Sequence, residues 1–277
     1  MDYKIIVDSC CDMTLQLAKR LGVISIPLTM RLGEKEYTDD DNLDINGFMA
    51  DMDACREKVS TSAPSPILFK EAIESATRSF IVTISNRLSA THESAVSGKA
   101  MAEEEAKVDT HVFDSKSASA GEVLIAVKIR EFLSKGMPKE QIIKSINSFI
   151  DGMKTLFVLE RYDNLIKNGR LGKVSGKIIN VLNIKLIMGA DGDGSIMLFS
   201  KPRGTKQMIE KMMSYIREKG ASTSGETMVI THNNNIDLVT RLCDSIKKQF
   251  DFKEIIIVPT RGAISVYADN KGVVMAF

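Results

Sequence analysis

Tryptophan is absent from this 277-residue chain, and histidine occurs only at His92, His111 and His232. No two of these histidines stand at i, i+2 or i, i+4, which excludes the usual local metal pairs, and no metal is expected. The four cysteines, Cys10, Cys11, Cys55 and Cys243, make no C-x-x-C spacing, and the adjacent Cys10 and Cys11 could bridge only in a strained vicinal form. They read as reduced thiols, which predicts a cytoplasmic location. Neither sign of charge is in excess, with 37 basic against 36 acidic residues, so no global field draws the chain to nucleic acid and none is expected as a partner. No apolar run approaches the roughly 18 residues of a membrane span, and no stable membrane insertion is expected. The opening MDYKIIVDS has no basic leader or small-residue cleavage site, so no secretory signal is expected.

Several catalytic signatures are missing as well. No serine sits in a G-x-S-x-G elbow. Asp191-Gly192-Asp193-Gly194-Ser195 begins like a calcium loop, but its twelfth position is Pro202 rather than Glu, so a hairpin turn is expected instead. Gly172-Lys173-Val174-Ser175-Gly176-Lys177 lacks a glycine five residues before Gly176 and continues with Ile178; it is not a phosphate-binding P-loop. No cofactor is implied.

What the chain does have is apolar material, 44% of its residues, enough for a sizeable core. The first half alternates apolar runs with helical stretches: KIIV before Asp8, FIVTI before Ser85 and HVF before Asp114. That rhythm predicts parallel strands with helical crossovers. Helices are expected over 13–21 from an Asp12 cap to Gly22, over 66–77 from Ser65-Pro66, and over 92–107, 117–135 and 138–151. The second half reads differently, with KTLFVLE, the hairpin-like IKLIMGADGDGSIMLFS, and helix–strand pairs ending in TMVITH and EIIIV. The expectation is an α/β protein of two domains. Residues 1–155 would form an N-terminal α/β domain on a parallel sheet, and 156–277 a C-terminal α/β domain on a mixed, partly antiparallel sheet.

Hydroxyls and carboxylates gather where the first-half strands end: Asp8 and Ser9, then Ser85, Ser89 and Thr91, then Asp114, Ser115, Ser117 and Ser119. All carboxyl ends of a parallel sheet lie on one edge, where ligands bind, so these side chains can converge; each could equally be a plain helix cap. Thr61 and Ser62 precede Ser65-Pro66, a helix start whose free N–H groups would suit a carboxylate or phosphate. Arg170, in the Gly-rich stretch, carries a planar fork that can grip a carboxylate or a partner's acidic surface.

The set Val7-Asp8-Ser9-Cys10-Cys11-Asp12, Ile26-Pro27-Leu28, Tyr37 with Asp39, Thr61-Ser62-Ala63-Pro64-Ser65, Ile84 to Thr91 and Asp114-Ser115 resembles the DegV family in order and spacing. So do Asn168-Gly169-Arg170-Leu171-Gly172-Lys173 and Leu182-Asn183-Ile184-Lys185. The resemblance implies a two-domain carrier of one long-chain fatty acid, its tail in an apolar tunnel near the domain cleft. It implies no catalytic residue. The family's T-S-x-P-S threonine and L-S-G-T serine, which hold the carboxylate, fall on Thr61 and Ser89; Thr91, Ser62, Asp8, Ser9, Ser115 and Arg170 are the surrounding ligand-binding candidates. Some relatives present the head group to a separate ATP-using kinase subunit, which is the implied protein partner.

Three departures stand out. Ala90 replaces the glycine of L-S-G-T, a strain if that position needs positive φ. Asn168 replaces a glycine but tolerates such a conformation. Where relatives carry H-T-G-P-G, this chain has Tyr267-Ala268-Asp269-Asn270-Lys271-Gly272, which puts kinase coupling in more doubt than binding. The rival reading is a phosphoryl- or acyl-transfer enzyme using Asp8, Asp114 and neighbouring serines. A lesser one is an interaction protein in which the lipid is structural.

Overall fold

The computed structural model describes residues 3–172, 174, 183–219 and 223–277. The expected features at Lys173, at Ser175 to Lys177 and at Leu182 lie outside them. From the start run β1 (Lys4–Asp8), α1 (Leu15–Leu21), β2 (Val23–Ile26), β3 (Thr29–Leu32), β4 (Lys35–Thr38), α2 (Ile45–Ala54) and β5 (Val59–Ser62). Then come α3 (Pro66–Ala76), β6 (Arg78–Thr83), α4 (Thr91–Glu105), β7 (Asp109–Asp114), α5 (Ala120–Ser134) and α6 (Lys139–Gly152). The remainder is β8 (Thr155–Val158), α7 (Asp163–Lys167), β9 (Ile187–Ala190), β10 (Ile196–Ser200), α8 (Gly204–Lys219), β11 (Thr227–His232), α9 (Ile236–Lys247), β12 (Glu254–Pro259), α10 (Gly262–Ala268) and β13 (Val273–Ala276).

Four strands pair in parallel in the order β2-β1-β6-β7. A parallel sheet is covered on both faces, which is why β1 and β6 read as unbroken apolar runs. Ile5, Val7, Phe80 and Val82 turn toward the core that contains Val123 and Ile125 of α5. Ile6 and Ile81 turn the other way, onto Phe69, Ile73 and Ala95 of α3 and α4. Helices α3 and α4 approach so closely that a Cβ at Gly98 would stand 2.5 Å from the Pro66 carbonyl oxygen.

Six strands form the second sheet, β10-β9-β8-β13-β11-β12, antiparallel except for β11 with β12. The hairpin around Asp191 to Ser195 is present, with β9 and β10 as its arms. The α/β class, the parallel first sheet and the mixed second sheet are therefore as expected.

Two local expectations need correction. Helix α1 starts after Thr14, whose Oγ1 accepts the Leu17 amide at 3.1 Å; Asp12 is buried and turned elsewhere. Thr61 and Ser62 do not sit in the turn at a helix start but on β5, the edge of a three-stranded antiparallel sheet β4-β3-β5 absent from the sequence reading. Each of its strands has only four residues, and KEYT and VSTS are too polar for a run of alternating apolar residues to stand out.

Candidate functional site

The carboxyl ends of β1, β6 and β7 face the second sheet, and polar bonds cross between them. Ser117 Oγ lies 2.7 Å from Thr155 Oγ1, and Ser85 Oγ donates to the Gly194 carbonyl in the β9–β10 turn at 2.9 Å. Asp12 accepts from Ser119 Oγ and from the Arg261 amide, both at 2.5 Å. Beside these bonds opens a cavity with about 850 Å³ of empty space, open solvent at its mouth included. Leu28, Ile84, Phe157, Leu159, Ile196 and Ile264 make its wall mainly apolar.

Four polar side chains on that wall lie close together. Thr61 Oγ1 is 2.8 Å from Tyr267 Oη. Ser89 Oγ is 2.8 Å from Thr91 Oγ1 and accepts the Thr91 amide at 3.3 Å. The Arg170 guanidinium stands 5.9 Å from the Tyr267 ring centroid. Its Nε donates to the Leu88 carbonyl at 3.1 Å and its Nη1 to the Asn168 carbonyl at 2.5 Å. Asn168 in turn donates to the Val59 carbonyl at 2.8 Å, and Asn164 to the Val266 carbonyl at 2.8 Å. Helix α7 and the turn after it thus tie together β5, the loop holding Ser89, and α10. Gly169 makes that turn possible at φ 73°, a conformation costly for any residue with a Cβ.

Of the predicted site residues, Thr61, Ser89 and Arg170 share this wall. Thr91 stands directly behind Ser89 and is fully buried. Asp8, Ser9, Ser62 and Ser115 are not on it. Asp8 accepts the Cys10 and Ile84 amides, each at 2.8 Å, while burial pushes its pKa up to about 6 against the pull of those bonds. Ser9 Oγ accepts the Leu28 amide at 3.0 Å, Ser115 Oγ donates to the Ser117 carbonyl at 3.0 Å, and Ser62 is exposed on β5. Short polar side chains at strand ends reach their own backbone sooner than a ligand. Asp114 behaves likewise, accepting the Lys116 amide at 3.0 Å.

The departures have a structural reading too. Ala90 sits at φ −74°, so its methyl causes no strain. Asn168 sits at φ −95° and uses its amide instead of conformational tolerance. Tyr267 is the site residue that sequence reasoning missed, visible there only as part of an element that had lost a histidine. Burial raises the pKa of its phenol, with Thr61 and Arg170 pulling the other way. Among the described residues no group of His, Cys, Asp and Glu could hold a metal, and no helix is long and apolar enough to cross a membrane.

Comparison with known proteins agrees with this architecture. The model of the DegV family, described as uncharacterised proteins, matches residues 2–277. A DegV domain-containing protein of Streptococcus pneumoniae is 33% identical over 280 residues, spanning 100% of this chain and 99% of its own. The crystal structure of a DegV family protein from Ruminococcus gnavus, refined with vaccenic acid, is 34% identical, covers 99% of each chain and superposes with a TM-score of 0.95. The fatty acid kinase (Fak) B3 protein of Streptococcus pneumoniae, loaded with linoleic acid, is 32% identical over 100% of this chain and 99% of its own, with a TM-score of 0.90.

Proposed function

The chain belongs to the DegV family, and from that premise we propose that it binds one long-chain fatty acid, with the tail in the apolar cavity and the carboxylate held by Thr61 and Ser89. The observation that carries this reading is the placement of those two hydroxyls on one mainly apolar wall, in a chain so similar to a protein solved with vaccenic acid. In this reading the ligand lies between two α/β domains, residues 1–155 and 156–277, which both contribute to the wall.

The energetics fit. Burying a palmitate-like tail of about 14 methylenes at roughly 0.8 kcal/mol each gives on the order of 11 kcal/mol gross. Two hydroxyl bonds to a carboxylate add about 1.5–3 kcal/mol apiece, partly offset by desolvation. The tail sets affinity and the head sets orientation. Arg170 serves here as a brace for the site's backbone, since its fork is engaged with the Leu88 and Asn168 carbonyls.

Similarity to the pneumococcal Fak B3 protein supports a further element of the proposal: a cytoplasmic protein that performs no covalent chemistry itself and hands the head group to a separate ATP-using kinase subunit. A transferase built on Asp8 and Asp114 gains no support, because both carboxylates are engaged with backbone amides.

Delipidated protein titrated with palmitate or oleate is expected to bind at micromolar concentration or below. Native mass spectrometry of freshly purified protein should find one acyl chain per molecule. Thr61→Ala and Ser89→Ala are each expected to weaken palmitate binding by about tenfold. Absence of uptake by delipidated, folded protein would end the proposal.

A further inference from the structure

The two rim hydroxyls are not alone: each is backed by a second hydroxyl at 2.8 Å, Thr61 by Tyr267 and Ser89 by Thr91. The direction of these bonds follows from proton accounting. Thr91 is 0% exposed, and if Ser89 donated to it, the Thr91 proton would be left buried without an acceptor, a costly arrangement. Thr91 therefore donates to Ser89. Ser89 Oγ also takes the Thr91 amide proton at 3.3 Å, so both of its lone pairs are filled and its own proton is free to turn outward.

In the second pair one acceptor site is filled. Tyr267 and Thr61 hold two protons between them and spend one on their mutual bond. The phenol is the more acidic partner and the better donor, which leaves the Thr61 proton for the cavity. The Arg170 guanidinium, 5.9 Å from the Tyr267 ring centroid, favours negative charge at this spot.

We infer that Tyr267 and Thr91 are positioning residues that donate to Thr61 and Ser89, turn both of those hydroxyl protons toward the cavity, and so make a paired-donor site that selects an ionised carboxylate over a neutral head group. This rests on the fatty-acid reading and deepens it. A carboxylate can take both protons in charge-assisted bonds, whereas an alcohol oxygen is a neutral and weaker acceptor for the same pair. Tyr267 also gives the segment that replaces H-T-G-P-G a role at the head group, carried by a neutral donor.

The test compares palmitate with hexadecanol, which has the same tail length and an uncharged head. Delipidated wild type, Tyr267→Phe and Thr91→Val are titrated with each ligand, and thermal melting without ligand checks folding. Tyr267→Phe keeps the ring against Arg170 and removes only the hydroxyl. Wild type should prefer palmitate, and each variant should lose about tenfold in palmitate affinity with hexadecanol changed by less than about threefold. If Tyr267→Phe binds palmitate as wild type does, or loses both ligands equally, the inference is overturned while fatty-acid binding stands. If folded wild type binds neither ligand, the functional reading itself has failed and this inference goes with it.

Discussion

Glu122, in the first turn of α5, is 0% exposed, and neither carboxyl oxygen has a hydrogen-bond partner among the described residues. The Ser119 amide, whose field favours the charged form, spends its hydrogen on the Cys10 carbonyl at 3.1 Å. Burial, reinforced by Asp8 and Asp12, raises the Glu122 pKa well above its ordinary 4.5. Between 4.5 and its higher folded value the native protein therefore holds this group protonated, whereas the unfolded chain carries it ionised. A carboxyl raised on folding contributes fully below about 4.5 and loses that contribution as pH climbs toward its folded value. Within that window each pH unit costs about 1.4 kcal/mol. Glu122→Gln removes the proton uptake, and any cost of burying the amide is the same at every pH. Urea denaturation at pH 5.5, 6.5 and 7.5 should show the variant gaining on wild type as pH rises, by up to about 1.4 kcal/mol per unit. Asp8, pushed up to about 6, titrates in both proteins, and its charge adds to the Glu122 shift as pH rises past that value. A stability difference that stays constant with pH would refute the reasoning.

Two other perturbations test how the site is held. Asp39 accepts the Gly262 and Ala263 amides at 2.9 and 2.8 Å and lies 3.7 Å from the Arg261 Nε, fixing the start of the helix that carries Tyr267; Asp39→Ala should cost about 3 kcal/mol in chemical denaturation, because it leaves two buried amides unpaired and Arg261 with Asp41 as its remaining carboxylate. Ser85→Ala removes the 2.9 Å bond to Gly194 at about 1 kcal/mol, and stopped-flow transfer of a fluorescent fatty acid to vesicles should run about fivefold faster; an unchanged rate means that this turn does not limit release.

The sheets were legible where burial imposes a run. KIIV and FIVTI announce strands covered on both faces, and Asp191 to Ser195 announces a turn because two glycines there adopt positive φ. The β4-β3-β5 sheet was not legible, since its strands are short and one face is largely polar. At the candidate site the chain names Thr61, Ser89 and Arg170, which share one wall, but the partner of Thr61 is 206 positions away, and no local pattern encodes such a contact. Asp8, Ser9 and Ser115 lie off that wall. Their residue types suit a ligand edge, yet each is consumed by a neighbouring backbone group, and sequence alone does not say which acceptor or donor a hydroxyl reaches first.

Arg170 illustrates how little chain is needed to shape a cavity. Its guanidinium meets two carbonyls from separate segments and faces an aromatic ring, three engagements that a lysine, with one compact charge, could not make together. The contour of this part of the cavity wall is thereby delegated to a single planar group, and a conservative change of charge at that position would be a change of architecture.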